Sequence, residues 1–257
     1  MCSVLHQETV SMTTNFYAPP SAIRGSRVVL PDDEARHARA VLRAAVGDEL
    51  TVVDGEGGWY RVEVQHASND KLVGTIVERR REVGEPAVDV TVGLGLLKKR
   101  QRFETFAEKA VELGVRRIVP LRTAHVETDT FRRERVRKVM VAALKQCRRS
   151  RLPTLAPPRT MDEVLEDAVA DRRFVCHGAG AENTLHGALR AGSHPESVLA
   201  LVGPEGGFHE SEVATARAAG WDVVSLGGRR LRAETAGLLA VAAAVYSPGL
   251  GGSNPDV

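Results

Sequence analysis

The chain has 257 residues, 43% of them hydrophobic, with 35 Lys and Arg against 33 Asp and Glu and a net charge of +2. That length buries an ample core in one or two compact domains, and the near balance of charge excludes partner choice by bulk electrostatics alone. The three cysteines, Cys2, Cys147 and Cys176, form no C-x-x-C pair, which argues against a disulfide framework or a cysteine-based zinc site and points to a reducing compartment.

The opening MCSVLHQETVSM has neither the basic start nor the apolar stretch of a signal peptide. The longest apolar run, Leu238 to Tyr246, is too short for a bilayer, so a soluble, cytoplasmic protein with no membrane partner is expected. Residues 1–14 show no apolar periodicity and read as a mobile arm outside the fold, with Met12 as an alternative start. Pro31-Asp32-Asp33 then opens a short helix with Ala35, Ala38, Val41 and Leu42 on one face, and Gly47 follows its end. The period changes to two over Glu49 to Asp54 and Trp59 to Ala67, two β-branched runs joined by the hairpin signal DGEGG. Lys71 to Val77 supplies a further strand, so residues 15–82 make a small β-rich domain that closes in the polar run ERRREVGEPA.

Beyond that run, residues 83–248 read as α/β. A buried strand at Val88 to Leu97 precedes a helix with Phe103, Phe106, Ala107, Ala110 and Val111 at helical spacing, closed by Gly114, and strand VRRIVPL follows. The next helix places Val136, Val139, Met140, Ala143, Leu144 and Cys147 on one stripe, and Pro153 ends it. Strands are expected at Arg173 to Cys176, Val198 to Val202 and Asp222 to Leu226, and helices near Asp162 to Ala170, Glu210 to Ala219 and Ala233 to Tyr246. Residues 249–257 read as a flexible tail.

Basic residues gather between Arg132 and Arg151, opposed within that stretch by Glu134 alone. Such a run is usually a solvated face, and here it is also a candidate phosphate-binding one. The chemistry is expected at VLALVGPEGGFHESEV, where a buried strand enters Gly-Pro-Glu-Gly-Gly before a helix. Gly203, Gly206 and Gly207 let the main chain approach a ligand, although a plain tight turn would read the same way. A second glycine turn follows strand WDVVSL and leads through Arg229, Arg230 and Arg232 into a very apolar helix, which suggests two turns at adjacent strand ends sharing one pocket. That helix must be buried on nearly all sides, in the core or against a second copy, so a homodimer is plausible. No G-x-x-x-x-G-K-[ST], G-x-S-x-G or H-E-x-x-H occurs, and GLGLLK lacks the third glycine of a dinucleotide fingerprint. His125, His177 and His209 read as ordinary surface or core residues.

These motifs have a combined likeness. GPEGGF with Glu210 and Glu212 after it, then SLGGRRLRAETA before an alanine-rich helix, resemble the carboxy-terminal signature of the SPOUT methyltransferases. More narrowly they resemble the ribosomal small-subunit methyltransferase E family, the 16S rRNA uracil-N(3) enzymes. RHARAVLRAAVGDELTVVDGEGGWYRVEV is similar to that family's amino-terminal PUA-like barrel, KKRQRFETFAEKAVELGVRRIVPL to its K-x-x-R and K-x-x-E-L-G-V segment, and ALKQCRRSRLP to its Q-x-x-R segment. The likeness spans Phe16 to Tyr246 and departs at Arg122-Thr123-Ala124-His125, where a serine is expected in place of Ala124 or His125.

The resemblance implies a small PUA-like β-barrel domain followed by an α/β SPOUT domain whose end is threaded into a deep trefoil knot, against the general rule that chains avoid knots. It implies S-adenosylmethionine as cofactor, held by Val202, Gly203, Glu205, Gly206, Gly207, Leu226, Gly227, Leu231, Arg232 and Thr235, and dimerisation that completes the site. Arg232 and Glu234 are the expected catalytic residues: Arg232 stabilises negative charge on the ring, and the nearby carboxylates that could act as base are Glu234 and Glu205, whose other readings are a helix cap and a cofactor contact. The RNA partner, 16S rRNA in the assembled small subunit, is expected at Arg24, Arg27, Arg36, Arg39, Arg43, Lys98, Arg102, Arg148 and Arg149. Ribose 2′-oxygen methylation on the same fold, and a non-catalytic rRNA-binding assembly factor, are the competing readings.

Overall fold

The structure, a computed structural model, describes residues 15–68, 70–126 and 130–247; the expected arm at 1–14 and tail at 249–257 lie outside the described residues. Its amino-terminal part contains β1 (Phe16–Tyr17), a 3₁₀ turn at Pro20–Ala22, β2 (Ile23–Arg24), β3 (Arg27–Leu30), α1 (Asp32–Leu42), β4 (Glu49–Val53), β5 (Gly58–Ala67) and β6 (Leu72–Arg81). The strands form one sheet in the order β1-β4-β5-β6-β3-β2, antiparallel except for the parallel pair β1 and β4. Alternate residues Leu50, Val52, Val62 and Val64 face inward against Phe16, Leu30, Ala35 and Ala38.

The hairpin expected at DGEGG is present, and Asp54 closes it. Its Oδ1 accepts from the amides of Glu56 (2.7 Å) and Gly58 (2.8 Å), and its Oδ2 accepts from the Tyr60 hydroxyl (2.8 Å). Two expectations need correction. The polar run at 78–81 is strand rather than connector, because β5 supplies partners across the ladder: Arg61 pairs with Glu78 at 2.8 Å, and the Arg80 guanidinium lies 4.9 Å from the Trp59 ring centroid. In α1 only the first half of the apolar stripe is buried, and Val41 is 62% exposed. The helix stops at Leu42, where Arg43 in the left-handed conformation turns the chain away.

The carboxy-terminal part contains β7 (Asp89–Gly95), α2 (Arg100–Leu113), β8 (Arg117–Arg122), α3 (Arg133–Cys147), β9 (Thr154–Leu155), β10 (Arg159–Thr160), α4 (Met161–Glu166), β11 (Arg172–Cys176), β12 (Asn183–Thr184), α5 (Leu185–Arg190), β13 (Ser197–Val202), α6 (Glu210–Ala218), β14 (Asp222–Ser225) and α7 (Ala233–Tyr246). Its sheet runs β10-β8-β7-β13-β11-β14-β12, with β9 beside β8, and every pairing is parallel. The longer strands and helices lie where the apolar patterns predict them. The short β9, β10, β12 and α5 carry too few residues for a period, and Arg148 in the left-handed conformation, not Pro153, ends α3. The helix expected to reach Ala170 stops at Glu166, after a capping box between Thr160 and Glu163. The topology also differs: β11 lies between β13 and β14, so the two glycine turns are not at adjacent strands.

Helices α2 and α7 pack against each other over β7. Contact is closest at Gly237, where a Cβ would lie 2.7 Å from Cε2 of Phe106. Gly237→Val is therefore expected to lower stability by about 1–3 kcal/mol through overpacking, read as a fall in the urea midpoint with an unchanged slope. An unchanged midpoint would mean that the two helices separate freely at this point.

Candidate active site

The parallel sheet places the carboxyl ends of β7, β13, β11 and β14 along one edge, and the main chain leaves each strand there in a turn. After β13, Gly203 to Gly207 fold back on themselves: the Gly207 amide donates to the Pro204 carbonyl at 2.9 Å. A Cβ on Gly203 would lie 2.8 Å from the Gly207 carbonyl carbon, and one on Gly95 at the end of β7 would strike the Pro204 nitrogen. Glycine is needed at both positions because backbone passes where a side chain would begin.

α6 anchors this turn. His209 caps it, and Glu212 Oε2 accepts from the His209 amide at 2.8 Å while Oε1 accepts from the Ala124 amide at 3.0 Å. One carboxylate thus ties the loop after β8 to the turn after β13. His125 Nδ1 donates to the Gly207 carbonyl at 3.3 Å. The departure at Ala124-His125 therefore keeps polar contacts with the turn, through a main-chain amide and an imidazole.

Together these turns enclose a cavity of about 600 Å³. One wall is Val202 to Gly207, the opposite wall Arg230 to Ala233 with Ala236, and the third is Cys176-His177-Gly178 at the end of β11. Of the residues expected to hold a cofactor, Val202, Gly203, Glu205, Gly206, Gly207, Leu231 and Arg232 border the cavity; Leu226, Gly227 and Thr235 stand outside its lining. Thr235 is exposed in the first turn of α7. The Cys176 to Gly178 wall is absent from the sequence reading, since only the strand order brings β11 between the other two.

Arg102 on α2 also borders the cavity, 3.6 Å from Glu205 and 3.6 Å from Glu234. Glu234, in the first turn of α7, is 12% exposed, and its Oε2 is buried with no hydrogen-bond partner. The open amino end of α7 adds main-chain N–H groups and the positive end of a helix dipole to the same wall. Among the described residues no group of side chains could hold a metal ion.

Residues 84–245 match the family described as the RNA methyltransferase domain, and residues 30–77 the RNA methyltransferase PUA domain. The chain is 32% identical over 240 residues to the ribosomal RNA small subunit methyltransferase E of Mycobacterium bovis, covering 89% of this chain and 89% of that one. It belongs to the ribosomal RNA small subunit methyltransferase E family. The Synechocystis sp. member is 30% identical over 237 residues, covering 90% of this chain and 77% of the relative. A crystal structure of a ribosomal RNA small subunit methyltransferase E from Neisseria gonorrhoeae bound to S-adenosyl methionine superposes with a TM-score of 0.80 at 28% identity, covering 91% of this chain and 97% of that chain.

In this methyltransferase the residues expected to face RNA divide into three groups. Arg24, Arg27, Arg36, Arg43, Lys98 and Arg148 are exposed. Arg39 is half-buried and donates to the Ala44 carbonyl at 2.9 Å, and Arg102 belongs to the cavity. Arg149 is a correction. It is 3% exposed, donates to Glu85 Oε2 at 2.7 Å and to the Val111 carbonyl at 2.7 Å, and has no face to offer a phosphate. Within the basic run Arg133 donates to the Leu155 carbonyl, Arg135 to Glu104, Arg137 to the Tyr17 hydroxyl and Lys145 to Glu34, while Arg132, Lys138 and Arg148 are exposed. The acids absent from the run are supplied by other elements.

Burial pushes the Cys176 thiol from 9.0 up to about 12. In a Cys2→Ser, Cys147→Ser background, alkylation of Cys176 should keep rising about tenfold per pH unit from pH 8 to 11, since only the thiolate reacts. A plateau near pH 9 would show a solvated thiol instead.

Proposed function

We propose that this chain methylates ring nitrogen 3 of a uridine in the 16S rRNA of the small ribosomal subunit, using S-adenosylmethionine, as a homodimer in the cytoplasm. The observation that carries the reading is the cavity at the carboxyl edge of the sheet. It is walled by main chain from glycine turns and bordered by Arg102, which lies 3.6 Å from Glu205 in the lining and 3.6 Å from Glu234 behind it. A cavity of about 600 Å³ suits a ligand of this cofactor's size. Gly203, Gly206 and Gly207 leave main-chain groups accessible, Glu205 supplies an acceptor, and Val202 and Ala236 supply apolar contact. We assign Leu226, Gly227 and Thr235 a supporting role in shaping the second turn.

When bound, S-adenosylmethionine supplies an electrophilic methyl group on a sulfonium. The protein must hold the acceptor close and manage its proton. Uracil nitrogen 3 bears a proton, and its loss puts negative charge on the ring and its carbonyl oxygens. Arg232, exposed at the cavity rim, stabilises that charge, and Glu205 in the lining and Glu234 beside Arg102 are the carboxylates that could take the proton. Arg24, Arg27, Arg36, Arg43, Lys98 and Arg148 contact phosphates, with the amino-terminal sheet curled as a PUA-like barrel.

The return of α7 from β14 to α2 and β7 supports a knotted end of the chain. Leu239, 40% exposed, and Tyr246, 65% exposed, on an otherwise apolar α7 support the dimer. No helix among the described residues is long and apolar enough to cross a membrane.

Incubation with methyl-labelled S-adenosylmethionine and unmodified small subunits, followed by digestion, should place the label in 3-methyluridine; label in a ribose-methylated nucleoside would overturn the base assignment. Arg232→Ala should lower single-turnover rate by about 10²-fold while changing cofactor affinity much less. An unchanged rate would remove Arg232 from the reaction.

A further inference from the structure

Two sets of contacts join the amino-terminal sheet to the α/β part, at separate places along α3 and the chain that leaves it. The first lies at Ser150 to Leu152, a segment of the α/β part that is held in place by Glu85 of the same part. Glu85 Oε2 accepts from Arg149 at 2.7 and 3.2 Å, and its Oε1 accepts from the amides of Ser150 (3.0 Å) and Arg151 (2.9 Å). Arg151 also pairs with Glu82. The DGEGG turn of the β4–β5 hairpin docks on the same segment. The Gly57 amide donates to the Ser150 carbonyl at 3.2 Å, and the Leu152 amide donates to the Gly55 carbonyl at 3.0 Å.

The second set lies along the helix itself. Lys145 donates to Glu34 of α1 at 2.6 Å, with the Glu34 side chain 7% exposed, and Arg137 donates to the Tyr17 hydroxyl at 3.2 Å. A single joint would leave rotation about its own axis. Two joints separated along α3 remove it.

We infer that Glu85 and Glu34 are positioning residues for RNA methylation: Glu34 pairs directly with Lys145 of α3, and Glu85 holds the segment on which the β4–β5 hairpin docks, so that together they fix the distance and angle between the arginines of the amino-terminal domain and the methyl-transfer cavity. The inference rests on the reading of that domain as an RNA grip. Where two surfaces of one molecule hold the same RNA, rigid coupling makes the second contact intramolecular, and loosening it lowers the effective concentration of the target at the cavity. Neither residue touches the cavity lining, so their loss should act on RNA engagement rather than on the cofactor.

The test uses the full chain with small ribosomal subunits and S-adenosylmethionine. The variants are Glu34→Gln, Lys145→Met, Glu85→Gln and the reversed pair Glu34→Lys with Lys145→Glu. KM for subunits should rise by about tenfold or more in the single variants, with the cofactor Kd within about twofold of the parent. The reversed pair should recover most of the loss, and X-ray scattering should show a larger radius of gyration for the single variants. Glu34 and Lys145 lie at the outer joint, so their variants carry the test if Glu85→Gln does not fold. Folded variants with unchanged KM and scattering would overturn the inference. So would a cofactor affinity that falls in step with KM, which would mark a purely structural role. Absence of transfer by the unmodified protein would instead overturn the RNA reading, and this inference with it.

Discussion

Because every strand of the carboxy-terminal sheet points the same way, four consecutive strand exits open on one edge, and the site is the consequence. The ladder hydrogen bonds of β7, β13, β11 and β14 set the exits at the spacing of neighbouring strands, and the glycines let backbone fill the space between them. Gly95 and Pro204 meet across two of these exits with no room for a methyl group. The floor is therefore as rigid as the sheet, which suits a cofactor held by main-chain groups and makes its shape insensitive to rotamer choice.

A second constraint ties the charged groups of the cavity to packing far from solvent. Arg102 and Phe106 lie one helical turn apart on α2, and Glu234 and Gly237 lie nearly one turn apart on α7. The close approach of Phe106 to Gly237 thus fixes the axial position of Arg102 against Glu234. Sliding one helix by a turn, about 5.4 Å, would part the pair. A glycine in the middle of a helix is unfavourable by about 1 kcal/mol relative to alanine. Here that cost is offset by a contact that sets the geometry of the site.

How much of this was legible follows from the reach of each signal. The longer strands and helices show their period directly, and hairpin and cap chemistry such as Asp54 or Gly114 is equally legible. The glycine turns named the edge on which the cavity lies. Strand order was not legible: nothing local in FVCHG says that β11 lies between β13 and β14, so Cys176 to Gly178 were passed over. Long-range pairing also hid the cross-strand partners that keep residues 78–81 in β6, and the partner that draws Arg102 into the cavity.

The same limit explains the basic run on α3. In sequence its cations lack acids, yet Glu34, Glu82, Glu85 and Glu104 arrive from α1, the connector and α2 to pair with Lys145, Arg151, Arg149 and Arg135. Burial separates what these arginines can do. Removing a partner from a buried pair such as Arg149 and Glu85 leaves an uncompensated charge and costs about 3–5 kcal/mol, whereas exposed pairs contribute about 0–1 kcal/mol. Arg149 therefore belongs to the fold, and Arg24, Arg27, Arg36 and Arg43, exposed on the amino-terminal domain, remain available for phosphates. A net charge of +2 conceals this division between cations neutralised by acids from other elements and cations left exposed on the surface.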